Sequence, residues 1–182
     1  MKRKITRHQV PGPKNSLYYW TSYVNPLRVC FNFAVIFMCR FIPSLRLKNV
    51  LYRMVGIKIG KDVSVGLMVM FDVFFPQLIT VGDNSVIGYN TTILAHEFMV
   101  HQWATGEVVI GRDVMIGANT TVLAGVTVGD EATVSAHSLV NHDVLPATFV
   151  GGVPAKEIPV SEPLEEEQNN TNLHNIKKRS SV

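Results

Sequence analysis

An aliphatic residue returns at every sixth position between residues 110 and 143. A six-residue period does not fit an α-helix, because about 3.6 residues per turn would carry these side chains round to opposite faces. The fifth position of each hexad is small or β-branched, as expected for short extended segments joined by turns. Such segments stack as coils that bury their hydrophobic faces only against one another. The aliphatic positions are Ile110, Ile116, Val122, Val128, Val134 and Val140.

These hexads resemble those of the hexapeptide-repeat acyltransferases, and are similar to the repeats of maltose and galactoside O-acetyltransferases. The resemblance covers about residues 56–159, including the phrase FVGGVPAKEI at residues 149–158, which is similar to the family's exit from its last coil. It implies an all-β fold, a left-handed parallel β-helix of hexapeptide repeats with three hexads per coil, preceded here by an N-terminal helical segment. The left hand comes from the resemblance alone, since parallel crossovers are otherwise right-handed.

The chain divides into four predicted segments. Pro11, Gly12 and Pro13 interrupt both helix and strand, which predicts a flexible region near the start. Pro26 is suited to the first turn of a helix that Pro43 ends, and a second, amphipathic helix follows. The segments are a basic flexible arm (1–24), a helical segment (25–56), the β-helix acyltransferase domain (57–159) and a polar C-terminal tail without predicted structure (160–182).

Positive charge is concentrated in the first third of the chain. Residues 1–61 contain 12 Lys and Arg and no Asp or Glu, whereas residues 62–182 contain 5 basic and 14 acidic residues. The apolar stretch at residues 29–42 is too short to span a bilayer, which needs about 20 apolar residues. We therefore expect either peripheral contact of residues 1–55 with an anionic membrane or packing of the two helices over the open end of the β-helix.

Both cysteines, Cys30 and Cys39, fall in the first predicted helix. They face opposite sides of it about 13 Å apart, which is too far for a disulfide. Cysteines among apolar residues are typical of core thiols in a reducing compartment. The basic start is not followed at once by an apolar run, so it lacks the pattern of a signal peptide. We expect a cytoplasmic protein, whose membrane contact would be with the cytoplasmic face.

The hexad register breaks at two places before residue 110. It falters at residues 71–78, FDVFFPQL, and resumes with Val81, Ile87 and Ile93. From Ile93 to Ile110 is 17 residues, which we interpret as two hexads plus five. The additional residues are predicted to leave the β-helix as a loop at about residues 97–106. Loops that interrupt a rigid scaffold frequently carry function.

His96 stands immediately before this predicted loop and matches the general base of the family. An imidazole can take the proton of an acceptor hydroxyl as the hydroxyl attacks the acyl-CoA thioester. The alternative is that His96 occupies a turn without a chemical role. Glu97 either orients the imidazole ring or is a solvated carboxylate. The sequence shows no nucleophile motif, and both cysteines lie far from the hexads, so no covalent enzyme intermediate is expected.

Three residues are candidates for binding the acceptor, which we expect to be a saccharide or cell-envelope precursor. In the family an acidic or amide residue facing the histidine holds the sugar, and Asp72 is the nearest match. An exposed carboxylate in an irregular coil is the alternative interpretation of Asp72. His101 and Trp103 lie within the predicted loop and are expected to contact the same acceptor.

The resemblance implies acetyl-CoA as the co-substrate. The small residues that let its pantetheine arm approach the coils match Ala118 and Ala136. Asn141 and His142 match a Thr-Lys pair of the sugar acetyltransferases, and Lys156 matches a basic residue near the phosphates. A histidine in place of lysine weakens the phosphate contact at neutral pH. The sequence does not distinguish acetyl from longer acyl donors, or O-transfer from N-transfer.

The family also implies a homotrimer in which neighbouring subunits complete each active site. We expect neither a metal ion nor nucleic acid as a partner. One alternative is a zinc enzyme similar to gamma-type carbonic anhydrases, with His101, His137 and His142 as ligands. The hexad positions of His137 and His142 argue against that alternative. A non-catalytic β-helix scaffold that binds partners through its faces is the other alternative.

Overall fold

The computed structural model describes residues 3–159, in which three α-helices precede three sheets of mostly parallel strands, and a fourth sheet of three antiparallel strands includes the first strand of the region. The α-helices are α1 (Trp20–Tyr23), α2 (Pro26–Cys39) and α3 (Leu45–Met54), with short 3-10 helices at Ser16–Tyr19 and Pro76–Leu78. The strands in chain order are β1 (Thr6–Gln9), β2 (Lys58–Ile59), β3 (Ser64–Val65), β4 (Met70–Phe71), β5 (Ile79–Val81), β6 (Val86–Ile87), β7 (Thr92–Ile93), β8 (His96–Phe98), β9 (Gln102–Thr105), β10 (Val108–Ile110), β11 (Met115–Ile116), β12 (Thr121–Val122), β13 (Thr127–Val128), β14 (Thr133–Val134), β15 (Leu139–Val140), β16 (Phe149–Gly151) and β17 (Lys156–Glu157).

The chain visits the three sheets in rotation, so the sheets are the sides of a stack of three-sided coils. The first sheet has the order β2, β5, β10, β13, and the third has the order β4, β7, β12, β15. The second sheet has the order β3, β6, β11, β14, β16, β17, and its last pair is antiparallel. Strands of one coil hydrogen-bond with the coils above and below it. The predicted parallel stacking of the hexads is therefore confirmed.

The coils differ in length where the hexads are interrupted. Ile110 pairs with Val128, 18 residues further along, whereas Val81 pairs with Ile110 across 29 residues and Ile59 pairs with Val81 across 22. The irregular coils thus contain 11 and 4 additional residues. The interpretation of residues 93–110 as two hexads plus five is wrong. Because Ile93 lies on the third sheet and Ile110 on the first, a regular coil would place only one hexad between them.

The 11 additional residues form a β-hairpin instead of the predicted loop at 97–106. Strands β8 and β9 pair antiparallel, with His96 opposite Thr105 and Phe98 opposite Trp103. The hairpin begins at His96 itself, so the histidine is held by a strand at the base of the insertion. A paired strand restricts the backbone more than a loop does, because its hydrogen bonds set the register.

Two positions of each hexad fill the interior. The first and fifth positions, such as Val122 and Val126, have no exposed surface. The position before the buried fifth residue turns the corner, and at Asn119 and His137 it has φ of 56° and 58°. Asn, Asp and His adopt this left-handed conformation more readily than bulky or β-branched residues do. The corners therefore place polar side chains on the outside of the coils.

Helices α2 and α3 cover the first coil. This is the alternative in which the two helices pack over the open end of the β-helix. Lys48 on α3 is fully buried, and its Nζ donates to Val65 O at 2.7 Å and to Gly66 O at 2.6 Å. Asn49 donates to Val63 O at 2.8 Å. These carbonyls border β3, the end strand of the second sheet, where no further coil supplies donors. The helical segment thus satisfies the exposed edge of the β-helix.

Residues 3–24 contain regular structure, which corrects the prediction of a flexible arm for 1–24. Strand β1 pairs antiparallel with β9, with Thr6 opposite Thr105 and Gln9 opposite Gln102. Pro11 and its neighbours do not disturb this strand because it ends at Gln9. The outer edge of β9 would otherwise present unpaired N–H and C=O groups, and β1 satisfies them. The predicted polar tail, 160–182, lies outside the described residues.

The two cysteines lie on opposite sides of helix α2. Cys39 is buried, as predicted, whereas Cys30 is exposed because it lies on the outward side of the helix. Within residues 3–159, no single helix is long and apolar enough to cross a membrane. The helical pair Ser16–Tyr23 and Pro26–Cys39 reaches the length and composition of a span only when taken together, and it is bent by 103°.

Candidate active site

His96 and Asp72 meet at one corner of the coils, between the third sheet and the first. Asp72 follows β4 directly, and His96 comes three residues after β7 ends at Ile93. Strands β4 and β7 are parallel neighbours, with Phe71 opposite Ile93. The two residues therefore leave the same sheet at the same end, one coil apart. The first irregular coil supplies Asp72 and the second supplies His96.

The Asp72 carboxylate has no exposed surface and uses both oxygens. Oδ1 accepts from Phe74 N at 2.9 Å and from Phe75 N at 3.0 Å. Oδ2 accepts from Ala95 N at 2.8 Å and also contacts Nδ1 of His96. Three backbone N–H donors therefore fix the position of this carboxylate. A carboxylate oxygen that accepts at Nδ1 selects the tautomer that carries its proton there, which leaves the Nε2 lone pair free.

Aromatic side chains surround the His96 ring. Its ring centroid lies 4.6 Å from that of Phe98, 4.9 Å from Phe74 and 5.7 Å from Phe75. The His96 side chain is 13% exposed, so it is largely buried but still accessible to solvent. Apolar surroundings with a few placed polar groups are typical of small-molecule sites.

Asp72 does not have the predicted role of gripping the acceptor, and this is a correction. A side chain without exposed surface and with both oxygens occupied has no lone pair to offer a substrate. The alternative interpretation, an exposed carboxylate, is also wrong. The irregular coil folds inward at Phe74 and Phe75, so their backbone N–H groups enclose the carboxylate instead of leaving it in water. Asp72 instead positions the His96 ring.

Glu97 is not the carboxylate that orients His96. His96 and Glu97 are consecutive in strand β8, so their side chains point to opposite faces. The Glu97 carboxylate contacts Nη1 of Arg3, whose guanidinium also donates to Ala124 O at 3.3 Å. Glu97 is therefore neither a ring-orienting residue nor a freely solvated carboxylate. It connects the start of the described chain to the hairpin.

Trp103 and His101 occupy different environments within the hairpin. Trp103 is 8% exposed and stacks on His8 at 4.0 Å and on Tyr23 at 4.4 Å between ring centroids. The prediction that Trp103 contacts the acceptor is corrected, because its ring is packed between side chains from β1 and α1. His101 is exposed at the hairpin turn, about 10 Å or more from the base of the hairpin where His96 lies.

The residues predicted to bind CoA lie in the last two coils. Ala118 and Ala136 are stacked at the corner between the second and third sheets, and His137 N donates to Ala118 O at 2.8 Å. Asn141 and His142 lie at the corner between the third and first sheets, where His142 Nδ1 and Asn141 Oδ1 are 2.9 Å apart. Lys156 is an exposed residue of β17, the last strand. A single chain therefore divides this set between two corners and the last strand pair.

The three histidines of the zinc alternative are not brought together. His101 is at the hairpin turn, His137 at the corner between the second and third sheets, and His142 at the corner between the third and first sheets. Within residues 3–159 no three His, Cys, Asp or Glu side chains are arranged to hold a metal ion. A single chain therefore gives this alternative no geometric support.

Sequence reasoning missed the aromatic wall and the partner of His96. Phe74, Phe75 and Phe98 all lie in the two stretches where the hexad register fails. A signal was present, since Asp72 directly follows a buried hexad position in the coil that precedes His96. Aligning the coils by their aliphatic positions would have placed Asp72 and His96 at the same corner. Sequence spacing alone does not show that the carboxylate points inward.

The chain is similar to known proteins in its repeats and along most of its length. Residues 107–142 match the protein family described as "Bacterial transferase hexapeptide (six repeats)". The protein named "Putative acetyltransferase YvoF" of Bacillus subtilis (strain 168) is 50% identical over 165 residues, which covers 90% of this chain and 95% of that protein. The chain is therefore similar along nearly its whole length to a protein with an acetyltransferase name.

Two solved structures share the fold. The hexapeptide-repeat acetyltransferase VCA0836 of Vibrio cholerae O1 biovar eltor, in complex with acetyl-CoA, has a TM-score of 0.63 and 23% identity, covering 75% of this chain and 88% of that chain. A galactoside acetyltransferase in complex with coenzyme A has a TM-score of 0.57 and 22% identity, covering 74% of this chain and 80% of that chain. At these identities the likeness concerns the fold.

Proposed function

Because the chain belongs to the hexapeptide-repeat acetyltransferases, we propose that it transfers an acetyl group from acetyl-CoA to a hydroxyl of a saccharide or cell-envelope precursor. It is an acyl-CoA-dependent acyltransferase, and acetyl-CoA is its co-substrate. The observation that carries the finer proposal is the contact between the buried Asp72 carboxylate and Nδ1 of His96. The family also leads us to infer that the coils wind with the left hand.

In the proposed reaction His96 is the general base. Nε2 takes the proton of the acceptor hydroxyl while the hydroxyl oxygen attacks the thioester carbonyl carbon of acetyl-CoA. The resulting tetrahedral intermediate expels the CoA sulfur as its C–S bond breaks, and the imidazolium of His96 returns the proton to that sulfur. The products are the acetyl ester and free CoA. General base catalysis of this kind contributes about 10²- to 10⁴-fold in rate.

Asp72 acts through His96 and does not touch the substrate. Its Oδ2 holds the proton on Nδ1 before the reaction and stabilises the positive ring when Nε2 is protonated. The backbone donors of Phe74, Phe75 and Ala95 hold the carboxylate in place, so the ring orientation is set before the acceptor arrives.

The sheltered position of His96 supports a small organic acceptor. The rings of Phe74 and Phe98 border the imidazole and offer an apolar surface for the C–H face of a sugar. No cysteine side chain takes part in the proposed reaction. Both cysteines lie on α2, Cys30 on its outward side and Cys39 on its inward side. The acetyl group therefore passes directly from CoA to the acceptor.

We propose that the donor site lies between subunits of a homotrimer. His96 lies at one corner of the coils and Ala118 and Ala136 lie at another, so one chain does not set these two donor residues beside its own base, although Asn141 and His142 share the corner of His96. A closed ring of heterologous contacts would place a corner of one subunit beside a different corner of its neighbour. In this arrangement Asn141, His142 and Lys156 remain the proposed contacts to the polar parts of CoA.

The test is release of CoA thiol from acetyl-CoA in the presence of sugars, sugar nucleotides and amino alcohols. We expect acceptor-dependent thiol release with at least one sugar or sugar derivative, and an ester product by mass spectrometry. His96→Ala is the matched control for background hydrolysis. A non-catalytic scaffold would give equal thiol release for the wild type and the variant with every acceptor. An amide product from the amino alcohols would reassign the enzyme to N-transfer.

A further inference from the structure

Helix α2 exposes an apolar ridge on its outward side. We use the name outer ridge for the surface formed by five exposed side chains of α2 and one that follows the helix. They are Leu27, Phe31, Phe33, Phe37 and Met38 on the helix, and Phe41 two residues beyond its end. Leu27 is 81% exposed, and each of the others is at least 42% exposed. Phe37 contacts Phe33 at 5.5 Å and Phe41 at 5.6 Å between ring centroids. Contiguous exposed apolar surface of this kind marks an interaction site.

The other side of α2 is already occupied by the body of the protein. Val29, Val35, Ile36 and Cys39 are buried, and Asn32 donates to Val73 O at 3.0 Å. The helix is therefore apolar on both sides, a composition that is stable only when both sides are covered. Because the inward side rests on the first coil, α2 cannot also stand upright across a bilayer. A partner of the outer ridge must meet it from the side.

The charges around the outer ridge have one sign. Residues 1–61 contain 12 Lys and Arg and no Asp or Glu. Arg28 lies 5.7 Å from the Phe31 ring and Arg40 lies 5.8 Å from the Phe37 ring, so guanidinium groups border the ridge itself. Arg46, on the following helix, is exposed. An apolar strip bordered by cations, without a carboxylate in the segment, complements an anionic surface.

We propose that the outer ridge docks on the surface of an anionic lipid bilayer, with α2 lying in the plane of the interface. The ridge enters the boundary between headgroups and acyl chains, while the neighbouring arginines contact lipid phosphates. A second copy that docks symmetrically through this ridge is a poorer occupant, because such a contact would bring like charges together without an opposing carboxylate. This proposal does not depend on the identity of the acceptor or on the role of His96.

Flotation of the full-length protein with lipid vesicles tests the proposal. We expect the protein to float with phosphatidylglycerol vesicles at low salt, to float much less with phosphatidylcholine vesicles, and to be released as salt rises. The double variant Phe31→Glu with Phe37→Glu is expected to bind phosphatidylglycerol vesicles about tenfold or more weakly. Arg46→Gln is expected to weaken binding about fivefold, the effect of one basic residue at such a surface.

Leu145→Glu is the matched control, since Leu145 is 60% exposed and lies in the last coil, away from α2. It should bind vesicles like the wild type. Acetyl-CoA turnover and light scattering show whether each variant remains folded and assembled. Failure of the wild type to float, or equal binding to both lipids, would overturn the proposal. So would an altered oligomeric state of the ridge variant, because that result would assign the ridge to a second copy.

Discussion

Asp72 and His96 form a carboxylate–imidazole contact although 24 residues separate them in the chain. The contact depends on the parallel pairing of β4 and β7, which brings the ends of two successive coils together. The coil of Asp72 and the coil of His96 are also the two that exceed 18 residues. The interruptions of the repeat therefore coincide with the candidate chemistry, as is usual for irregular segments on a rigid scaffold.

Replacing His96 with Ala is expected to lower turnover by at least about 100-fold, because the acceptor hydroxyl loses its base. Acetyl-CoA affinity and oligomeric state should change little, since the base acts mainly in the transition state. Steady-state kinetics with the true acceptor and calorimetric titration of acetyl-CoA measure the two effects. The matched variant is His101→Ala, which should change the acceptor KM more than turnover. A His96→Ala protein with more than about a tenth of wild-type turnover would contradict the assignment.

Asp72→Asn is expected to lower turnover by about 10- to 1,000-fold. The new amide nitrogen would donate to Nδ1 and move the ring proton to Nε2, which removes the base without removing the ring. Nitrogen NMR of the imidazole reads this change of tautomer directly, whereas a merely structural defect would not invert it. Glu97→Gln is the control, because Glu97 contacts Arg3 on the other face of β8 and should leave the tautomer unchanged.

A site shared between subunits predicts complementation. His96→Ala and a second variant, Ala136→Trp, which would block the proposed donor groove, should each be nearly inactive. Mixed, unfolded and reassembled together in equal amounts, they should recover about a quarter of wild-type turnover, since random trimers contain some sites with both intact halves. No recovery, with mixed trimers present by native mass spectrometry, would mean that each chain carries a complete site.

Trp103→Ala is expected to destabilise the protein by about 3 kcal/mol, because a large buried ring between His8, Tyr23 and Phe75 is removed. His101→Ala, in the same hairpin but exposed, should change the free energy of unfolding by less than about 0.5 kcal/mol. Urea denaturation of both variants makes the comparison. Unchanged stability and altered acceptor affinity of the Trp103→Ala protein would instead support the prediction that Trp103 contacts the acceptor.

The buried thiol of Cys39 predicts a loss of stability at high pH. Burial raises its pKa from 9.0 to about 11, although nearby Lys48 acts to lower it. Between these values the folded state holds the proton and the unfolded state has lost it, so stability is complete below about pH 9 and falls as pH rises towards 11. Removing the thiol in Cys39→Ala should reduce this loss by up to about 2 kcal/mol.

Urea unfolding under reducing conditions at several pH values measures the slope of the free energy of unfolding against pH. The matched variant is Cys30→Ala on the exposed side of the same helix, which should keep the wild-type slope. The comparison uses slopes because Cys39→Ala also lowers stability at every pH by creating a cavity. Equal slopes for wild type and Cys39→Ala would contradict the prediction.

Sequence alone was sufficient where the period was regular. A repeat of six predicted the parallel coils, Pro26 predicted where α2 begins, and Pro43 predicted that the helix ends before residue 43, because these signals act within a few residues. His96 was singled out by its place at the break in the register. Its identity as the candidate base needed no tertiary information, since the resemblance and the position pointed to the same residue.

Only the tertiary structure decided which residues surround His96. Asp72 was predicted to face the acceptor, yet it is enclosed by backbone donors from Phe74, Phe75 and Ala95. Residues 3–24 were predicted to be flexible because the sequence shows residues there that interrupt helix and strand. The sequence does not show the edge of β9, which β1 covers in the structure. A sequence pattern indicates which side chains a segment must bury. It does not report which distant backbone groups lack partners, and the need to satisfy those groups determined the positions of β1, Lys48 and Asp72.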